Sequence, residues 1–340
     1  MRVPLEINTI TTAQALAQNG ITQFSSIFPL SGEGWDTLRL SFNNTIGGSG
    51  GTGAYVYGGF GIVKNVELKT SKGELVCSSP GMGLLQYALL CNHAESFYEL
   101  ISATNGTYRN VIDIPFAPGS YMLNRLEDLY LDSGQYTNVE LQIQYGAVAD
   151  LFGTVGSSTL TAQTVDISLL RTKAALDDPK TVAGRKSQVA YVPFIRHYPT
   201  INPSSQPYII LEAAQDLYIT GMIGYGQTGN SGLVPYSMGG TAAWNVKNVT
   251  FRDNVTRWLN NVPVAAFAQQ ARMLFEPPNQ AITNTLSMVG YYPWQFVRDW
   301  SIREAYWTGN KSEIRLEWTF DTGANPSFDL LVFGYRKLRR

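Results

Sequence analysis

The side chains that could do chemistry are few in this chain, and badly spaced for it. The 340 residues hold two histidines, His93 and His197, and two cysteines, Cys77 and Cys91. A zinc site needs three or four such ligands together, and Cys91 with His93 is too small a set. A Ser-His-Asp arrangement would need a tertiary coincidence around one histidine. Both histidines are read as structural or solvated, with His197 expected in a loop. Glu95 and Glu99 stand one helical turn apart and Asp177 and Asp178 are adjacent. Either pair could serve glycoside hydrolysis, but helix faces and linkers carry such acids routinely. The run Gly47–Gly53 lacks the Gly-Lys-Ser/Thr that completes a phosphate-cradling loop, so a mobile surface loop is expected there. No catalytic residue, cofactor or metal is expected.

Two groups remain that could make contacts. Six of the seven tryptophans, Trp244, Trp258, Trp294, Trp300, Trp307 and Trp318, lie in the second half, and Trp35 alone in the first. Trp318 falls on the apolar face of an alternating segment and belongs to a core. Trp294, Trp300 and Trp307 fit either a sugar-binding groove or a subunit interface. The second group is Arg336, Lys337, Arg339 and Arg340, directly after an apolar strand. These four are the candidate contact with an anionic membrane or a packaged genome, where each basic residue near anionic lipid contributes about 1 kcal/mol. Arg171 and Lys173 occupy the matching place in the first half.

Composition narrows the partners. Charged residues make up 15% of the chain, well under the quarter usual for soluble domains, and the net charge is −1. A basic case for nucleic-acid binding is therefore missing, and flanks buried against neighbours suit the composition better than a free monomer. No basic-then-apolar leader opens the chain, and no apolar run reaches the roughly 18 residues that span a bilayer. A soluble protein made in the cytoplasm is expected.

The elements that would position these groups occur twice. Val63–Lys69 is matched by Val246–Arg252, Val139–Tyr145 by Ile314–Phe320, and Val165–Arg171 by Phe328–Gly334. A repeat this long is a duplicated domain. Both copies alternate apolar and polar residues with period two, the mark of sheets with one buried face. Helices are expected at Pro80–Leu100 and Pro263–Leu274, one inserted in each copy, with a further short helix at Thr11–Gln18. The expected organisation is an arm at 1–34, a first eight-stranded jelly roll at 35–173, a linker at 174–190 and a second jelly roll at 191–340. The fold class is all-β.

Two tandem jelly rolls with one inserted helix each resemble the double jelly-roll major capsid proteins of tailless icosahedral viruses with an internal membrane. The paired strands at 63–69 and 246–252, the segments from Pro80 and Pro263, and the closing strands at 165–171 and 328–334 carry that resemblance. It implies a homotrimer that tiles a shell pseudo-hexagonally and meets neighbouring capsomers, membrane lipids and minor capsid or penton proteins. It implies a place in the virion capsid, no specific nucleic acid and no enzymatic activity. The other class open to this fold is a carbohydrate-binding protein or glycoside hydrolase.

Overall fold

The computed structural model of the chain describes residues 5–30, 32–55, 57–92, 96–101, 105–116, 130–175, 189–199, 208–211, 216–227, 246–254, 256–263, 266, 291–296, 305–320 and 327–339. Two compact units result, Met1–Ile195 with Tyr335–Arg340, and Arg196–Gly334.

The first unit begins with β1 (Leu5–Ala15), β2 (Gly20–Ser25), β3 (Glu33–Gly47) and β4 (Thr52–Ala54). A one-turn helix, α1 (Gly58–Gly61), leads to β5 (Val63–Thr70), β6 (Leu75–Ser79) and helix α2 (Gly81–Asn92). Then come β7 (Gly106–Pro115), β8 (Leu131–Asp132), β9 (Val139–Tyr145), β10 (Phe152–Thr154) and β11 (Thr159–Ala175). One sheet has the order β1-β11-β3-β7, and the other runs β6-β5-β9-β2. Leaving out the short β4, β8 and β10, the eight main strands therefore lie in the orders 1-8-3-6 and 2-7-4-5. That is a jelly roll.

Alternation drives the sandwich. Along β9 every second residue (Val139, Leu141, Ile143, Tyr145) is buried, and the residues between face outward. Leu38, Leu40 and Phe42 on β3 join Val165, Ile167 and Leu169 of β11 and Ile112 and Ile114 of β7 on the opposing inner face. Phe42 stacks on Tyr145 with ring centroids 5.9 Å apart, which locks one sheet to the other. Beside that stack, the Tyr145 hydroxyl donates to Asn44, whose amide donates to Asn110 Oδ1 at 3.3 Å. These bonds give the Tyr145 hydroxyl, both amide atoms of Asn44 and Asn110 Oδ1 partners inside the sandwich.

Helix α2 is buried along its length, including Leu84, Tyr87, Ala88 and Cys91 as expected, and also Leu85, Gln86, Leu89 and Leu90. Gln86 apart, its buried side chains are apolar on every side, as suits an internal helix, and the Tyr87 hydroxyl ties it to the Pro115 carbonyl at 2.9 Å. It ends at Asn92, short of the expected Leu100. Residues 97–99 instead run beside β7, with the Val111 amide donating to Phe97 O and the Glu99 amide to Arg109 O.

The second roll, whose first and last strands each cross the division between the units, repeats the plan with β12 (Val189–Tyr198), β13 (Tyr208–Leu211), β14 (Leu217–Gln227), β15 (Val246–Asp253) and β16 (Arg257–Pro263). It continues with β17 (Tyr291–Gln295), β18 (Tyr306–Trp307), β19 (Ile314–Phe320) and β20 (Ser327–Arg339). Its strands lie in the orders β12-β20-β14-β17 and β13-β19-β15-β16. Omitting the short β18, these are again 1-8-3-6 and 2-7-4-5. The three sequence pairs recognised above are the fourth, seventh and eighth strands of each roll. The fifth and sixth strands are separated by α2 in the first unit and by residues 264–290 in the second.

Several expectations are corrected. The described part of the expected arm is built into the first roll: β1 and β2 are its first two strands, and β3 opens at Glu33. Thr11–Gln18 is not a helix, because residues through Ala15 pair with β11, Leu5 opposite Thr172 and Ala15 opposite Thr164. Backbone pairing overrides a weak helical propensity here. Pro263 closes strand β16 rather than opening a helix; Ala266 is helical, and residues 267–274 lie outside the described residues. β11 runs on to Ala175 and β12 opens at Val189, so only 176–188 of the expected linker lie outside the described residues.

Candidate functional site

The residues picked out for chemistry are taken up by structure. His197 lies within β12, not in a loop, and its Nε2 sits 3.2 Å from Asp329 Oδ2 on β20. Cys77 and Cys91 are both buried and are not joined in a disulfide, and burial pushes the Cys77 thiol far above its ordinary range. A thiol held protonated is a poor nucleophile and a poor ligand. Glu99 accepts a hydrogen bond from the Arg109 amide at 2.8 Å. His93, Glu95, Asp177, Asp178, Trp244 and Trp300 lie outside the described residues. Among the described residues, no three His, Cys, Asp or Glu side chains are grouped as a metal site. No described helix is long and apolar enough to cross a membrane.

The most concentrated polar constellation was invisible in the sequence. Asp253, at the end of β15, has a fully buried side chain. Its Oδ2 accepts from Tyr306 Oη at 2.7 Å, Lys311 Nζ at 2.9 Å and Trp258 Nε1 at 3.0 Å. Its Oδ1 accepts from the Thr256 amide at 2.9 Å. Burial alone would raise its pKa, but hydrogen bonds from Trp258, Tyr306, Lys311 and Thr256 outweigh it and hold the carboxyl well below its usual range. Four donors leave this carboxylate no role as a base or nucleophile. It is a pin, drawing the β15–β16 turn and β18 together.

Around the pin, Phe251 packs edge-on against Trp294 (4.6 Å) and Tyr306 (5.5 Å), and Trp258 against Tyr306 (5.5 Å). Trp294 is half-buried with its ring held on Phe251, and Trp318 is buried in the core of the second unit. Trp258 and Trp307 stay about half exposed.

The glycine-rich run is clamped, contrary to the mobile loop expected. β4 pairs with β10, and Ser49 and Ser157 exchange backbone and side-chain hydrogen bonds, including Ser157 N to Ser49 O at 2.9 Å. The glycines permit that approach. A Cβ on Gly48 (φ +84°) would meet the Ser157 carbonyl oxygen at 2.1 Å, and one on Gly156 (φ +60°) would meet Gly50 C at 2.4 Å. A Gly156→Ala substitution is expected to destabilise the first unit by about 2–3 kcal/mol, from left-handed strain plus a backbone clash. Limited proteolysis of the 47–53 run, faster in the variant than in the wild type, checks it.

The basic end is only partly a free charge cluster. Arg336 lies with its guanidinium over the Phe194 ring, 5.4 Å from the centroid, and is half-buried, as is Lys337. The backbone of Arg339 is in β20, and Arg340 lies outside the described residues. The matching Arg171 is engaged by Glu33 at 2.8 Å and Glu6 at 3.6 Å, so it is a structural ion pair.

No family model matches the chain, and no curated protein matches its sequence. Solved structures do match. The chain is similar to the STIV MCP with a TM-score of 0.69 at 12% identity, covering 99% of this chain and 97% of that one. It is similar to the PBCV-1 virus capsid protein (TM-score 0.60, 12% identity, 100% and 95% covered). It is also similar to the major capsid protein P2 from bacteriophage PM2 (TM-score 0.57, 11% identity, 99% of each chain). The fold is a double jelly roll. Each match runs nearly end to end in both chains.

Proposed function

We propose that this chain is a structural major capsid protein. Three copies form a trimer whose six jelly rolls make a pseudo-hexagonal tile, and these tiles cover an icosahedral shell over an internal lipid membrane. One observation carries the reading: two units with the same eight-strand order in one chain, aligned nearly end to end with viral major capsid proteins. A duplicated roll lets a three-fold object present six similar sides. The low charge supports the same reading, since flanks that meet neighbours need few solvating groups. Its partners are then copies of itself, neighbouring capsomers, and minor capsid or penton proteins, and its place is the virion.

Lys337, Arg339 and Arg340 are read as the lipid-facing charges, with Arg336 committed largely to Phe194. An Arg339→Glu/Arg340→Glu variant is expected to lose most of its co-flotation with anionic vesicles; unchanged flotation would remove that role.

Light scattering on the purified protein tests the central reading. Three subunits of 37.5 kDa give a species near 112 kDa. A protein that stays monomeric on concentration counts against a capsomer.

A further inference from the structure

The two rolls match strand for strand, and equivalent strands meet different surroundings. β6 and β16 are the fifth strands. Leu68 and Lys69 of β5 lie opposite Cys77 and Leu75, and their counterparts Phe251 and Arg252 of β15 lie opposite Leu259 and Arg257. Both strands therefore bulge at the same place, and the extra residue is Val76 in one and Trp258 in the other. Val76, Cys77 and Ser79 are buried in β6, whereas no residue of β16 is buried and Trp258 is 51% exposed.

The first strands show the same contrast. The sheet β2-β9-β5-β6 of the first unit goes on past β6 into β12, whose residues through Ile195 belong to that unit. Val192, Phe194 and Ile195 of β12 are buried. β1 is the equivalent of β12 in the first roll, yet none of residues 6–15 is buried and Ile7 is 64% exposed. Among the described strands, β1 and β16 each end their sheet. So one fifth strand lies beside one first strand and both are buried, while the other fifth strand and the other first strand stand exposed.

We infer that β16 of one copy lies beside β1 of the next copy, as β6 lies beside β12 within the chain. This rests on the trimer proposed above. In a ring of six like rolls each roll meets the next through the same two strands, fifth to first. Three of those contacts are β6 with β12, and the three that join copies are β16 with β1. Such a contact is heterologous, so it runs head to tail and closes after three chains. The side chains agree with it. Arg257 is the one charged residue of β16 and Glu6 the one charged residue of β1, of opposite sign. Trp258 is a ready anchor, because Asp253 Oδ2 holds its Nε1 at 3.0 Å and Tyr306 supports its ring, so little side-chain freedom is lost on docking.

A photo-cross-linker on β16 tests the pairing. The full chain with p-benzoylphenylalanine in place of the exposed Asn260 should, on irradiation, give covalent dimers and trimers on a denaturing gel. Mass spectrometry of those bands should place the bond within residues 5–15 of a second copy. Bonds formed only within one chain, or to another segment of a second copy, overturn the assignment. Ile7→Lys, which puts a second positive charge against the side that bears Arg257, should weaken trimer formation about tenfold or more. The milder Ile7→Thr should weaken it severalfold, and circular dichroism of both variants separates a lost contact from a lost fold. Ile7 variants that fold and trimerise like the wild type overturn the pairing and leave the capsid reading standing. A wild-type protein that never self-associates removes the capsid reading and this inference together.

Discussion

Replacing Asp253 by asparagine is expected to destabilise the second unit by about 3–5 kcal/mol, the cost of leaving one member of a buried ion pair without its partner. Asparagine keeps the shape but offers one acceptor oxygen to four donors. Lys311, largely buried itself, loses its counter-charge. The pH dependence gives an independent check. The folded-state pKa lies below the roughly 3.9 of an unfolded aspartate, so the stabilisation is fully present above about pH 5 and lost as pH falls. Denaturant melts of wild type and Asp253→Asn should therefore differ most near neutrality and converge on acidification. A constant gap between pH 7 and pH 3 would show that the carboxylate's charge contributes nothing.

Trp35→Ala should cost the first unit about 3–5 kcal/mol, the range for emptying a large aromatic from a core. Trp35 is fully buried at the start of β3, with its ring 5.3 Å from that of Phe28, and its backbone lies between those of Leu131 and Arg171. The cavity cannot collapse easily, because strands β8 and β11 hold both sides. For a unit of this size the melting temperature should fall by about 6–20 °C. Trp35 is also the only tryptophan of the first unit, so Trp35→Phe provides a control that removes the optical signal while sparing most of the volume. A Trp35→Ala protein melting within 2 °C of the wild type would show that the site is less tightly packed than its burial indicates.

The parts of the fold that sequence reveals are those where a local pattern and the tertiary environment agree. The fourth, seventh and eighth strands of each roll sit with one face on the core, so alternation at 139–145 and 314–320 is legible without coordinates. β1 and β2 were hidden for the opposite reason. They are end strands, β1 is twice interrupted in register, and few of their residues are buried, so no clean period survives at Thr11–Ala15. The Asp253 pin could not be read because its partners, Trp258, Tyr306 and Lys311, are scattered in sequence and joined only by the turn and by β18. The glycine run at 47–53 was legible as glycine but not as a clamp, since Ser157 lies more than a hundred residues away.

The make-up of the first unit sets an order of events on the ribosome. Its β1 waits for β11, with Leu5 opposite Thr172, and the unit also includes residues from Tyr335 onward, where Arg336 lies against Phe194. The whole of the second unit is translated between those two pieces. A nascent chain that has reached residue 195 already holds all eight strands of the first roll, so that roll can close early, while the compact unit built on it gains its last residues only when the end of β20 is made.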